Sequence, residues 1–190
     1  MRIISGKFKG RRFDKKLPAG IRPTTDSTKE TVFNILENVF DFDNKTVCDI
    51  FAGSGNLGFE ALSRGVAFCT FVDRSRKAIE YIQTIAEQLK LDKGYYKCIK
   101  FDAYKYLKKM CEEKTQFDLF FIDPPYELRL GNKIINTIIE NNLLSDNGLI
   151  VNESMINDGL LLPDNFDIVA QKIFGSTQIH IIREKITKYI

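Results

Sequence analysis

The 190-residue sequence predicts an α/β fold: a mostly parallel, doubly wound sheet that ends in an antiparallel strand. Three observations predict it. From Thr46 onward, short apolar segments alternate with stretches of helical periodicity. A glycine-rich turn joins the first such segment to the first such helix. The last two apolar segments are separated only by Gly175-Ser176. Alternation of this kind is the signature of βαβ units packed into a parallel sheet. Two residues cannot carry a parallel crossover, so the final pair must run antiparallel.

Each element follows from its local pattern. Residues 3–13 read as two short extended pieces around Gly6 and Gly10, a β-hairpin arm. A helix is expected from about Asp26 or Ser27, where Ser27 and Glu30 fit a capping box. Its apolar positions Val32, Phe33, Leu36, Val39 and Phe40 keep helical spacing. Strands are then expected at Thr46–Phe51, Ala67–Val72, Tyr96–Phe101, Phe117–Ile122 and Leu149–Asn152. Between them lie helices marked by Leu57, Ala61 and Leu62, by Ala78, Ile79, Ile82, Ala86 and Leu89, by Tyr104, Leu107 and Cys111, and by Ile134, Ile135, Ile138 and Ile139. Phe117–Ile122 is nearly all apolar, as a central strand buried on both faces should be. Phe166–Phe174 and Thr177–Arg183 form the closing pair.

Composition narrows the classes. The hydrophobic share of 44% and charged share of 28% are ordinary for a globular domain. No apolar run approaches the roughly 20 residues of a membrane span, and the first residues lack an apolar stretch of signal-peptide length. A cytoplasmic protein is expected. Cys48, Cys69, Cys98 and Cys111 are widely spaced, and His180 is the only histidine. Neither disulfides nor a metal site is therefore expected. Charge is unevenly placed. Residues 1–30 hold nine Lys or Arg against three Asp or Glu, net +6, while the rest holds 19 against 22, net −3. A basic arm over residues 1–25, ahead of a catalytic domain over 26–190, fits contact with nucleic-acid phosphates, although a solvated charged terminus has the same composition.

Gly53-Ser54-Gly55-Asn56-Leu57-Gly58 is a G-x-G-x-x-G between a strand and a helix. Glycines there let the chain turn tightly and approach a ligand. Fifteen residues on, at the end of the second strand, Asp73 is placed to accept both ribose hydroxyls of an adenosine cofactor. That much fits a dinucleotide equally well. Asp49 adds a distinction: a carboxylate inside an apolar strand needs a partner, and a cofactor with a cationic amino-acid end provides one. Asp102-Ala103 follows the third strand, where the carboxylate can accept an adenine amino group and also cap the next helix.

Asp123-Pro124-Pro125-Tyr126 directly follows the apolar fourth strand. Two prolines fix the backbone and leave carbonyls as acceptors, and Tyr126 offers a flat face to a base. An aromatic amino group is a poor nucleophile because its lone pair is delocalised. Accepting its two hydrogens at the Asp123 carboxylate and the Pro124 carbonyl orients the nitrogen and concentrates density on it. With an ordinary pKa of about 3.9, Asp123 suits an orienting acceptor better than a strong base.

The segments Cys48–Gly55, Glu60-Ala61-Leu62-Ser63-Arg64-Gly65 and Asp123–Tyr126 resemble class I methyltransferases of the RsmD type. So do Arg2–Lys7, Arg22-Pro23-Thr24-Thr25-Asp26, Glu30–Asn34 and Gly175-Ser176-Thr177-Gln178, and the likeness runs over essentially the whole chain. It implies a Rossmann-like, seven-stranded sheet with an antiparallel last strand. It implies S-adenosylmethionine as methyl donor and N2 of a guanine in small-subunit (16S) ribosomal RNA as acceptor. Carried over by position, Asp49, Phe51, Ala52, Gly53, Ser54, Gly55, Gly58, Asp73, Arg74, Asp102, Ala103 and Asp123 would hold the cofactor. Asp123, Pro124, Pro125 and Tyr126 would hold the base, and Lys7, Lys9, Arg11, Arg12, Arg22 and Thr24 would contact RNA. The chain departs from the family at Asn56, where a small apolar residue is commoner, and in the charged segment Glu127–Gly131. A monomer acting on an assembling or finished subunit is expected, with the target guanine unstacked.

Competing readings are an adenine-N6 DNA or protein glutamine amino methyltransferase, an NAD-linked oxidoreductase and a non-catalytic RNA-binding module. The chain is too short for a large DNA-reading domain, and the oxidoreductase leaves Asp49 and the Asp-Pro-Pro-Tyr loop without a role.

Overall fold

The computed structural model describes residues 1–13, 25–125 and 130–185. Its chain order is α1 (Asp26–Val39), β1 (Thr46–Ile50), α2 (Asn56–Ser63), β2 (Phe68–Asp73), α3 (Arg76–Gln88), β3 (Tyr96–Lys100), α4 (Ala103–Glu113), β4 (Phe117–Ile122), α5 (Gly131–Glu140), β5 (Leu144–Met155), β6 (Phe166–Phe174) and β7 (Thr177–Glu184). The seven strands form one sheet in the order β3-β2-β1-β4-β5-β7-β6. β1 to β5 pair in parallel, and β7 runs antiparallel to both β5 and β6. The reversed strand is the one the Gly175-Ser176 turn requires.

β4 is the middle strand, and its side chains divide the core. Leu119 and Phe121 pack with Phe33, Leu36, Phe59 and Phe71 on one face. Phe120 and Ile122 pack with Leu107, Ile135 and Ile138 on the other. Burial on both faces explains why this segment is apolar without alternation.

Three local expectations change. Thr25, not Ser27, caps α1, and its side chain accepts the Thr28 amide. Val39 stays 37% exposed while Phe40, one residue beyond the helix, is buried. The N-terminal arm reverses as a hairpin does, but it has a single Arg2–Arg12 bridge and a short 3₁₀ turn at Gly6–Phe8 in place of two strands. Close docking accounts for that turn. A Cβ on Gly6 (φ +78) would lie 1.8 Å from the Ser63 carbonyl oxygen at the end of α2. Ile3 and Phe13 are buried in the core that α1 and α2 share.

Candidate active site

The site lies at the carboxyl-terminal edge of the sheet, where β1 and β4 adjoin and the order of connection reverses. Ligands of open α/β sheets bind at such a point. Val72, Ile50, Ile122 and Asn152 form one register row across β2, β1, β4 and β5. The segments that follow the first three are the acidic strand end at Asp73, the glycine turn and the Asp123 loop, spaced by roughly 4.8 Å per strand.

The turn is built by its own backbone. Phe51, the residue after β1, has φ +70, Gly53 and Gly55 follow at +53 and +72, and the Gly55 amide donates to the Ala52 carbonyl at 2.6 Å. Gly58 serves packing: a Cβ there would stand 2.3 Å from the Phe71 ring and 2.8 Å from the Cys69 sulfur. Helix α2 can therefore lie close on β2, as the third glycine of such a motif allows.

Asp73 accepts from the Gly53 amide at 2.9 Å through Oδ2 and from the Ser75 amide at 2.7 Å through Oδ1. The next residue, Arg74, is exposed. Asp102 is exposed and caps α4 by accepting the Lys105 amide, and Ala103 is buried behind it. Asp49 is buried beneath α2, where its Oδ2 accepts the Gly58 amide at 3.0 Å. Burial pushes its carboxyl up to about 8, against the Gly58 bond and with the help of the Asp73 charge. A buried carboxyl supported by one amide, at the edge of a glycine turn, fits a cationic amino-acid end. Asp73 at the strand end fits ribose hydroxyls, so the residues present suit S-adenosylmethionine. Among the described residues no three His, Cys, Asp or Glu side chains gather in a metal-binding group.

Asp123 is half-buried, Pro124 buried and Pro125 exposed. Tyr126, like Arg22 and Thr24, lies outside the described residues. Beside the prolines a cleft of about 220 Å³ opens, lined by Pro124, Pro125, Gly131, Asn152, Ser154 and Gly159 among others. Its far wall is pinned. The Asn132 amide group donates to the Gly159 carbonyl at 2.6 Å and accepts the Leu161 amide at 3.1 Å. Gln178 Nε2 bonds the Met155, Ile156 and Asp158 carbonyls at 3.1–3.3 Å. Neither this wall nor Asn152 stands out from sequence pattern alone. The available signal is an Asn directly after the apolar run Leu149–Val151, the same irregularity that marks Asp49.

Lys7, Lys9, Arg11 and Arg12 are all exposed on the arm. The arm itself is held by a buried polar cluster. Glu60 accepts the Ile4 and Ser5 amides at 2.8 and 3.0 Å and pairs with Arg64 at 3.0 Å and with Lys29 at 3.3 Å. Lys29 Nζ also donates to the Arg2 carbonyl and, at 2.7 Å, to Asn56 Oδ1. The unusual Asn56 thus supplies an acceptor for a lysine buried under the arm, directly after the glycine turn.

Glycine turn, strand-end acids and an Asp-Pro-Pro loop on this strand order define a class I, S-adenosylmethionine-dependent methyltransferase. Residues 1–183 match the family described as conserved hypothetical protein 95. The chain is 40% identical over 153 residues to the Bacillus subtilis protein named "Putative rRNA methyltransferase YlbH", covering 80% of this chain and 82% of that one. It is 33% identical over 186 residues to "Ribosomal RNA small subunit methyltransferase D" of Escherichia coli, covering 97% and 90%. The solved structure "Putative methyltransferase yhhF from Escherichia coli" superposes with a TM-score of 0.85 at 33% identity, over 97% of this chain and 98% of that one. The chain belongs to the conserved hypothetical protein 95 family, the RsmD-type methyltransferases its motifs resemble.

Proposed function

We propose that the protein methylates the exocyclic N2 amino group of a guanine in small-subunit (16S) ribosomal RNA. One observation carries the reading. The Ile50–Ile122 register sets the glycine turn and the Asp123-Pro124 acceptors on adjacent strands at one edge of the sheet. The names of the relatives supply the ribosomal RNA.

In this reading Asp49, Phe51 to Gly55, Gly58, Asp73, Arg74, Asp102, Ala103 and Asp123 form the cofactor site. When bound, S-adenosylmethionine supplies an electrophilic sulfonium methyl group. The chain supplies position and acceptors. The Asp123 carboxylate and Pro124 carbonyl take the two amino hydrogens, aim the nitrogen and exclude other orientations. So held, the nitrogen would face the methyl group of a donor kept in place by Asp49, the glycine turn and Asp73. The proton then lost by the methylated amine passes to Asp123 and on to water. Tyr126 and Pro125 bracket the base, which must leave its stack to arrive. Lys7, Lys9, Arg11, Arg12, Arg22 and Thr24 hold the RNA backbone. The arm over residues 1–25 thus serves a catalytic domain over 26–190, working as a cytoplasmic monomer on an assembled or assembling subunit.

The test is methyl transfer from labelled S-adenosylmethionine to small subunits from a strain lacking the protein, followed by nucleoside analysis. Label in N2-methylguanosine is the expected result, and Asp123→Ala should abolish it while cofactor affinity is lowered but not lost, because Asp49 and Asp73 remain. Label in methyladenosine, in DNA or in protein glutamine would overturn the assignment.

A further inference from the structure

Asn152 is a polar residue lining the cleft beside Pro124 and Pro125, with an unmet hydrogen-bonding capacity. It is 2% exposed, pairs in register with Ile122 just before Asp123, and lines the same cleft as Pro124. Its Oδ1 is buried with no hydrogen-bond partner. That atom rests against the start of α5, 3.1 Å from where a Cβ on Gly131 would sit, so the glycine leaves it room. Leaving a buried acceptor unpaired destabilises a fold, and such groups gather where a ligand completes them. The terminal torsion of an asparagine is broad, so its carbonyl can turn into the cleft without backbone movement.

We infer that Asn152 is a specificity-determining residue that accepts the N1–H of the target guanine. This rests on the guanine-N2 reading above. The chemistry of the base edges selects the ligand. In this inference the amino hydrogens are held at Asp123 and Pro124, and the base lies with N1, rather than N3 on the other side of the amino-bearing carbon, toward the neighbouring strand, β5. In guanine that nitrogen is a donor, N1–H. In adenine and cytosine the ring nitrogen next to the amino group is a bare acceptor. An acceptor at Asn152 therefore completes guanine and opposes the other two amino bases. A site built to bond one N–H rejects the analogue lacking it because its own polar group is left unpaired. His180, the register partner of Asn152 on β7, keeps a second unpaired buried atom, Nδ1.

The test compares guanine with 2-aminopurine at the mapped target position in reconstituted subunits. 2-Aminopurine keeps the amino group and turns N1 into an acceptor. Wild-type protein should prefer guanine. Asn152→Val removes the acceptor, so kcat/KM for guanine should fall about tenfold while that for 2-aminopurine holds, and the preference should shrink by the same factor. Cofactor affinity should be unchanged, and the melting temperature should not fall, because a buried unpaired group has been replaced by a strand-forming apolar one. An unchanged guanine preference in a folded Asn152→Val variant overturns the inference and leaves the function standing. Absence of guanine methylation by the wild type overturns the functional reading itself.

Discussion

Lys29 Nζ stands 3.3 Å from Glu60 Oε2, and both side chains are wholly shielded from water. Burial lowers the lysine pKa, and the Glu60 charge and hydrogen bond oppose that fall. The pair joins three pieces of chain that are distant in sequence: the arm, α1 and α2. Its stability role is conditional, since a buried pair costs much of its attraction in lost hydration, whereas breaking it strands a charge. Glu60→Ala should therefore cost roughly 3–5 kcal/mol in denaturant unfolding and release the Ile4 and Ser5 amides. The double variant Lys29→Met, Glu60→Leu should recover only part of that loss, because the Ile4 and Ser5 amides and Arg64 still lack Glu60. A single variant as stable as wild type would show that the pair holds nothing together.

Gly58 gives a second, purely steric prediction. Gly58→Ala puts a methyl 2.3 Å from the Phe71 ring, and both neighbours, Phe71 and Cys69, are fully buried. Helix α2 must then lift from β2, which costs about 1–3 kcal/mol and stretches the 3.0 Å bond from the Gly58 amide to Asp49. Thermal melting should drop and cofactor affinity should drop with it. Melting that falls with affinity unchanged would separate the packing role of this glycine from the site.

These two sites show where the sequence was legible. The glycine spacing, Asp73 and the Asp-Pro-Pro run are local signals, because each takes its meaning from a strand end within a few residues. The parallel run of strands and the antiparallel closing pair followed from alternation and from one two-residue turn. The Lys29–Glu60 contact spans 31 positions and was invisible: Lys29 reads as a surface charge among nine basic residues until α1 is laid against α2. The same holds for the cleft wall, whose Asn132–Gly159 and Gln178–Asp158 bonds join elements that only the antiparallel end of the sheet brings together. Arm geometry failed for a related reason. Gly6 and Gly10 suggested a hairpin of two extended pieces, and what shapes the chain at Gly6 is contact with Ser63.

The arm makes a prediction about salt. Lys9, Arg11 and Arg12 are exposed, so replacing all three by alanine should leave melting unchanged. Affinity for small subunits should fall, and the slope of log K against log salt should become shallower by about 0.7–0.9 for each phosphate that is no longer neutralised. Binding with an unaltered slope would assign these residues to solvent.

Asp49 makes the last prediction, and its sign can be worked out. Its carboxyl sits at about 8 in the fold against 3.8 ordinarily, chiefly because it is buried. Between those values the folded protein holds a proton that the unfolded chain has lost. The group's contribution is therefore fully present at low pH and is lost as pH rises through about 8, with a slope of at most about 1.4 kcal/mol per pH unit. Asp49→Asn, uncharged and of the same shape, should flatten that part of the stability profile. Cofactor binding should behave in the opposite sense. A cationic group beside Asp49 favours the carboxylate, so binding at pH 7 should release a proton, and affinity should climb until about pH 8 and then level. Calorimetric titration of S-adenosylmethionine in buffers of different ionisation enthalpy measures that proton directly. Release by wild type and none by Asp49→Asn would put the carboxylate against the cationic end of the cofactor. Equal behaviour of the two would confine Asp49 to its bond with Gly58.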